Sequence, residues 1–175
     1  MIKLEYFNPS DFKQLIHWIN SPEFLIQWSG SVFNFPLDKD QLERYIEKAN
    51  KENSDTFVYK AINETGDVIG HISLGQIDRK NKSARVGKVL IGEDQSRGKG
   101  IGQLIVNAAL EIAFKKFDLQ RVSLGVFDFN KQAILCYERS GFIKEGLLRN
   151  SIKVENKFWS VWIMSILRDE WLNKN

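Results

Sequence analysis

The sequence predicts an α+β fold of the mixed α/β kind: a central, twisted, largely antiparallel sheet with helices on both faces. Three observations predict it. Short apolar runs with strand patterning recur along the chain, from Ile2–Phe7 to Phe158–Leu167. Two late segments, 101–117 and 131–140, carry helical spacing. Between those helices lies Arg121–Phe127, rich in Val and Leu, which places a strand–helix–strand unit at the centre of an otherwise antiparallel order.

The elements follow in order. Ile2 to Phe7 reads as a first strand, and Pro9-Ser10-Asp11 offers an N-cap for a helix through Ile19. Residues Ser21 to Pro36 show no clean period and read as a loop carrying Phe24, Trp28, Phe33 and Phe35. Leu37 to Asn50 reads as an amphipathic helix through Leu42, Tyr45, Ile46 and Ala49. Thr56–Ile62 and Val68–Gln76 are strands joined by the turn Asn63-Glu64-Thr65-Gly66-Asp67. Ser83 to Gly92 is the next strand. A Gly-rich turn, residues 93–102, then leads into the helix whose Ile101, Leu104, Ile105, Ala108, Ala109, Ile112 and Ala113 fit the i, i+3, i+4, i+7 template. After Arg121–Phe127 the helix Lys131–Ser140 ends at Gly141, a left-handed cap. Phe142–Arg149 and Phe158–Leu167 close the chain as strands.

Composition bounds the function. The 175 residues fit one domain, 1–175, long enough to bury a core without disulfides. Apolar residues make up 43% and charged residues 27%, with 12 Phe, 5 Trp and 4 Tyr, which opposes disorder. Lys plus Arg is 25 and Asp plus Glu is 22, a net +3, and such a balance opposes a dedicated nucleic-acid binder. The single cysteine, Cys136, excludes an internal disulfide and a zinc site with two cysteines, so no metal is expected. No stretch approaches the roughly 18 apolar residues of a membrane helix, and the start lacks the apolar run of a signal peptide. The default is a soluble cytoplasmic protein with no membrane partner.

The chemistry sits in Arg97-Gly98-Lys99-Gly100-Ile101-Gly102, between a strand and a long helix. Alternating glycines remove Cβ atoms where a ligand must touch backbone. The N–H groups opening the helix, and its positive dipole end, suit a phosphate or pyrophosphate, and Arg97 and Lys99 add charge there. The P-loop pattern fails because Gly100 follows Lys99. The dinucleotide pattern GxGxxG fails because Gln103 or Ile105 stands where its last glycine belongs.

The pattern Arg97-x-x-Gly100-x-Gly102 is similar to the R/Q-x-x-G-x-G/A signature of the GNAT superfamily of N-acetyltransferases. A second part lies thirty residues on, where Asn130, Ala133, Tyr137, Gly141 and Phe142 match that family's N-x-x-A-x-x-x-Y-x-x-x-G-F segment. The ending, Glu145 through Trp171, resembles the branch of ribosomal-protein N-terminal acetyltransferases and related small-molecule enzymes.

The resemblance implies an acyl-CoA N-acyltransferase fold and direct acetyl transfer from acetyl-CoA to a primary amine, on a protein N-terminus or a small molecule. It implies that Leu90, Ile91 and Gly92 pair with the pantetheine arm as an added strand. By the same resemblance the amides of Arg97, Gly98, Lys99, Gly100, Ile101 and Gly102 hold the pyrophosphate, and Asn130 bonds the pantetheine or nearby backbone. Tyr137 then protonates the leaving thiolate as general acid. Relatives often carry a basic carboxylate on the central strand. Here that strand holds Arg85 and Lys88, which leaves His71 and Glu93 as candidates for the base. His71 and His17 also read as structural, and Cys136 as a small core residue. The aromatic segment Phe24 to Phe35 maps to the acceptor pocket or to core. Asp38, Asp40, Glu43 and Glu47 read as a solvated helix face. A non-catalytic acyl-CoA-binding module is the alternative function, and a homodimer is compatible with the sequence.

Overall fold

The structure, a computed structural model, describes residues 2–92 and 100–174. The turn residues Glu93, Arg97, Gly98 and Lys99 therefore lie outside the described residues. Among those described, seven strands form one sheet flanked by six α-helices. The chain runs β1 (Lys3–Tyr6), a 3-10 turn (Pro9–Asp11), α1 (Phe12–Trp18), α2 (Pro22–Ser29) and α3 (Lys39–Ile46). It continues through β2 (Phe57–Ile62), β3 (Val68–Asp78), β4 (Ser83–Ile91) and α4 (Ile101–Glu111). The last part is β5 (Arg121–Phe127), α5 (Lys131–Ser140), β6 (Ile143–Val154), β7 (Lys157–Leu167) and α6 (Arg168–Lys174).

The sheet order is β1-β2-β3-β4-β5-β7-β6, antiparallel at every step but one. The exception is β4 against β5, which run parallel as the strand–helix–strand unit requires. Their pairing covers only Ser83↔Arg121, Ala84↔Val122 and Arg85↔Ser123. Beyond Arg85 the two strands part, while β5 keeps seven paired residues with β7. The sheet is thus split from one end, between its two central strands.

Two cores hold the halves together. On one face α4 buries Ile105, Val106, Ala109 and Leu110 against Ile72, Leu74, Val86, Leu124 and Met164. On the other face α1, α2 and α3 bury Phe12, Leu15, Leu25, Trp28 and Leu42 against Val58 and Leu90. Strand alternation makes this possible, since neighbouring residues of β4 point to opposite faces. The Lys60 ammonium, on β2, pairs at 2.9 Å with Asp11, whose other oxygen accepts from the Asn8 amide, and this ties the first helix to the sheet.

Four sequence readings need correction. Residues 22–29 are helical, not loop. Ser21 caps the helix by accepting from the Phe24 amide at 3.1 Å, Pro22 opens it, and Leu25 and Trp28 share its buried face. The chain closes with a helix after β7, anchored by Trp171 on Phe114 at 5.4 Å between ring centroids. Strand β6 runs on to Val154 through an irregularity between Leu148 and Ile152, where Asn150 has φ 51°. The helix beginning at Lys39 stops at Ile46, although Asp38 caps it by accepting from the Gln41 amide. By contrast, Gly141 is left-handed (φ 102°) at the end of α5, as its position predicts.

Candidate active site

The site is built around the split in the sheet. In β4 the pairing His71↔Leu90 gives way to Ser73↔Gly87, so β4 carries one residue more than β3 over this stretch. The extra residue forms a bulge at Lys88, whose φ is 50°. Two side chains fasten the bulge: Trp28 Nε1 and His71 Nδ1 each lie 2.9 Å from the Lys88 carbonyl oxygen. The Gly92 amide donates to the Ile69 carbonyl at 2.9 Å and so faces β3. Alternation then turns Leu90 toward β3 as well, and Val89 and Ile91 toward β5. Of the three residues expected along the pantetheine, only Ile91 presents its backbone on the side of the split. Gly92 has a different neighbour, because the Trp18 indole lies where its Cβ would be.

Gly100 caps α4 with φ 77°, a conformation that favours glycine, and accepts from the Leu104 amide. Ile101 packs against the larger core. A Cβ on Gly102 would come within 3.2 Å of Ile91 and 3.3 Å of the Cys136 sulfur, so the helix start is seated closely on β4 and α5. Asn130 caps α5, its side-chain oxygen accepting from the Ala133 amide at 3.2 Å. Tyr137 is buried in α5, its ring 6.0 Å from Phe142. Burial raises its hydroxyl pKa above the ordinary tyrosine value, so the phenol keeps its proton. Burial likewise raises the Cys136 thiol to about 11, which fits a small core residue and not a thiolate nucleophile.

His71 is buried at 1% exposure among the rings of Phe7, Trp28 and Tyr45. Desolvation lowers its pKa to about 4, against which the Lys88 carbonyl bond works weakly. It lies behind the cavity wall, and its geometry makes it a support of the bulge. His17 is exposed on α1.

A cavity of about 630 Å³ opens on the α2–α3 face of the sheet, beside the split. Trp28, Val32 and Tyr45 line one side; Gly125, Phe127 and Ile163 line the other; Arg85, Gly87 and Lys88 of β4 form the floor between them. The aromatic segment thus divides. Trp28 reaches the cavity, stacked on Phe33 at 5.5 Å, whereas Phe33 is core and Phe35 is exposed. Asp38, Asp40, Glu43 and Glu47 are exposed on and around α3, as a solvated face should be. The sequence reading missed the β5–β7 wall. Its signal was the small-residue alternation Ser123, Gly125 before Phe127, which leaves one face of β5 open. Among the described residues no group of three metal-ligating side chains forms a metal site, and no helix is long and apolar enough to cross a membrane.

The family model for the acetyltransferase (GNAT) domain matches residues 2–143. The chain belongs to the GNAT acetyltransferase family. It is an acetyl-CoA-dependent N-acetyltransferase, with acetyl-CoA as cosubstrate. Similar GNAT proteins differ in acceptor. One is a spermidine N(1)-acetyltransferase of Vibrio cholerae, 29% identical over 164 residues, covering 93% of this chain and 91% of the relative. Another is an aminoglycoside N(6')-acetyltransferase of Klebsiella pneumoniae, 25% identical over 154 residues, 83% of this chain and 75% of the relative. A Bacillus subtilis chain named as a candidate ribosomal N-acetyltransferase is 30% identical over 106 residues, 61% of this chain and 57% of its own. The crystal structure of the Vibrio cholerae spermidine N-acetyltransferase, in complex with CoA and spermine, superposes with a TM-score of 0.84 at 24% identity, covering 98% of each chain. That likeness confirms the mixed α/β GNAT fold.

Proposed function

We propose that this GNAT enzyme passes an acetyl group straight from acetyl-CoA to a primary amine seated in the 630 Å³ cavity. One observation carries the reading: β4 and β5 pair for three residues and then separate, with the cavity opening beside the split. An extended pantetheine arm can lie along the β4 edge there as a further strand, through the segment Val89 to Gly92. The pyrophosphate then falls at the start of α4, on the turn from Arg97 to Gly102, where the helix dipole and the glycines suit an anion. Asn130 holds the start of α5, and with it the placement of Tyr137.

In this reading the amine nitrogen, as the free base, attacks the thioester carbonyl carbon. The C–S bond breaks, Tyr137 gives its proton to the sulfur, and the acetylated nitrogen loses its own proton to solvent. The Tyr137 hydroxyl recovers a proton from water. Burial supports the role, because it keeps the phenol protonated until charge develops on sulfur.

A second reading concerns the acceptor. Identity of 29% over nearly the whole chain to a spermidine acetyltransferase favours a polyamine. The floor of the cavity, with the cations of Arg85 and Lys88, speaks against it. For the assembly, a homodimer is consistent with the exposed Leu148 and Phe158 on the β6–β7 pair.

The test is calorimetric titration with CoA, followed by thiol release from acetyl-CoA across a panel of primary amines. Binding with amine-dependent release supports an enzyme of this mechanism. CoA binding without release from any amine returns the protein to the acyl-CoA-binding module, and absence of CoA binding removes both.

A further inference from the structure

The cavity floor carries two cations that nothing among the described residues neutralises. Arg85 and Lys88 both line it, and neither forms an ion pair with a described residue. The Arg85 guanidinium crosses the split toward β5 and comes within 2.5 Å of where a Cβ on Gly125 would be, so the absence of a side chain there gives it room. The Lys88 ammonium lies 5.0 Å from the centre of the Tyr45 ring. Lys48 adds a third cation at the rim, and Asp55 is the one carboxylate among the described lining residues.

Such a pair is unfavourable by itself. Burial lowers the pKa of both groups, and the Arg85 charge lowers that of Lys88 further, so each ammonium or guanidinium is held where its charge is disfavoured. An anion placed between them relieves both the desolvation and the mutual repulsion, through charge-assisted hydrogen bonds. The CoA phosphates are poorly placed to do this. Arg85 is seven residues from Gly92, at most about 23 Å along the strand at roughly 3.3 Å per residue, and the start of α4, where the pyrophosphate is proposed to bind, follows that end in the chain. A polyamine is worse placed, since it would bring further positive charge against Arg85 and Lys88.

We propose that the acceptor is a small-molecule primary amine that also carries an anionic group, a carboxylate or a phosphate, and that Arg85 and Lys88 bind that group while the amine reaches the thioester. The proposal rests on the cavity being the acceptor site. A cavity of 630 Å³ suits a small molecule.

The experiment measures binding by calorimetry, with and without CoA, so that it does not depend on turnover. The probes are ω-amino carboxylates from β-alanine to aminocaproate, the matching aminophosphonates, the matching amino alcohols, and spermidine. One anionic series should bind at least about 30-fold more tightly than the alcohols of equal length, the loss expected for a missing charged hydrogen-bond partner. The carboxylate and phosphonate arms separate the two anions. Arg85→Gln should erase the preference, Arg85→Lys should restore part of it, and Lys88→Met should weaken it, all with CoA affinity within about twofold of wild type. Equal binding of acids and alcohols overturns the proposal, as does tighter binding of spermidine. So does preference for a peptide N-terminus over every small amine, or an Arg85→Gln defect confined to CoA. Failure of CoA to bind at all would instead strike the acetyl-transfer reading.

Discussion

The imidazole of His71 donates from Nδ1 to the carbonyl oxygen of Lys88 at 2.9 Å, and that carbonyl also accepts from Trp28 Nε1. A carbonyl can only accept, so the proton sits on Nδ1 and the neutral ring keeps its lone pair on Nε2. Nε2 is buried with no hydrogen-bond partner among the described residues. The bulge of β4 is thereby fastened from two layers at once, by β3 and by α2. Where the bulge goes, the floor of the cavity follows, since Lys88 and Arg85 lie on the same strand.

That arrangement predicts a pH dependence. The folded pKa of His71 is about 4 and its ordinary value 6.5. Between those values the unfolded chain takes up a proton that the folded chain refuses, so stability falls as pH drops from 6.5 to 4 and levels off below. A shift of this size corresponds to about 3 kcal/mol at roughly 1.4 kcal/mol per unit. His71→Asn can keep a donor to the carbonyl while removing the titration. It should be less stable than wild type at pH 7.5, through lost packing, and the gap should narrow by pH 4.5. Urea unfolding at the two values checks this, and a constant gap would show that His71 does not titrate as a buried neutral ring.

Tyr137→Phe removes the proposed acid and keeps the ring on Phe142. Turnover should fall by about 100-fold or more, the usual scale for a lost general acid, with CoA affinity unchanged. Because burial raises the hydroxyl pKa, wild-type turnover should climb as the amine deprotonates and then hold a plateau beyond the ordinary tyrosine range. A descending limb near pH 9, or a variant as fast as wild type, would take the role from Tyr137.

Glu145 on β6 is clamped by both terminal nitrogens of Arg121, at 2.8 and 2.6 Å, and accepts from Ser165 at 2.8 Å. The Arg121 hydrogen bonds, then that of Ser165, bring its pKa down to about 2. A lowered carboxylate stabilises the fold fully above its ordinary value of 4.5 and loses that contribution as pH falls toward 2. The Glu145 side chain is 42% exposed, so screening limits the effect to about 1 kcal/mol. Glu145→Gln should be less stable by that amount at pH 7 and equal to wild type near pH 2, with the difference shrinking in high salt.

The sequence was most legible where one period ruled a long segment. Helix α5 and strand β5 have the predicted bounds because helical spacing, Gly141 and the Val-Leu run agree there. The period of helix α2 is hidden because its eight residues bury only two apolar side chains, Leu25 and Trp28 at i, i+3, too few to show a period, although Ser21-Pro22-Glu23 is a start signal in plain view. The split and the bulge were not legible at all. Both depend on which strands become neighbours, and the bulge puts a lysine at positive φ, which no local propensity favours. Arg85 and Lys88 were visible as a departure from a strand carboxylate, but their convergence on one cavity needed the sheet order.

Gly92 and Trp18 provide the last test. The indole occupies the space of a Cβ at Gly92, and ring atoms of a partly buried tryptophan on α1 cannot yield as a flexible chain end would. Gly92→Ala should therefore destabilise by about 1–3 kcal/mol, the range for overpacking. Trp18→Leu alone leaves a void of its own. Combined with Gly92→Ala it frees the space the methyl needs, so the double variant should be more stable than the sum of the single losses by about 1 kcal/mol or more. Denaturant unfolding of the four proteins gives that coupling. Because Gly92 ends the strand proposed to hold pantetheine, CoA affinity should fall in the single variant and recover in the double. Additive stabilities would mean that Trp18 can move aside. Affinity that stays low in the double variant would mean that the glycine serves the ligand directly, and not the seat of α1 on β4.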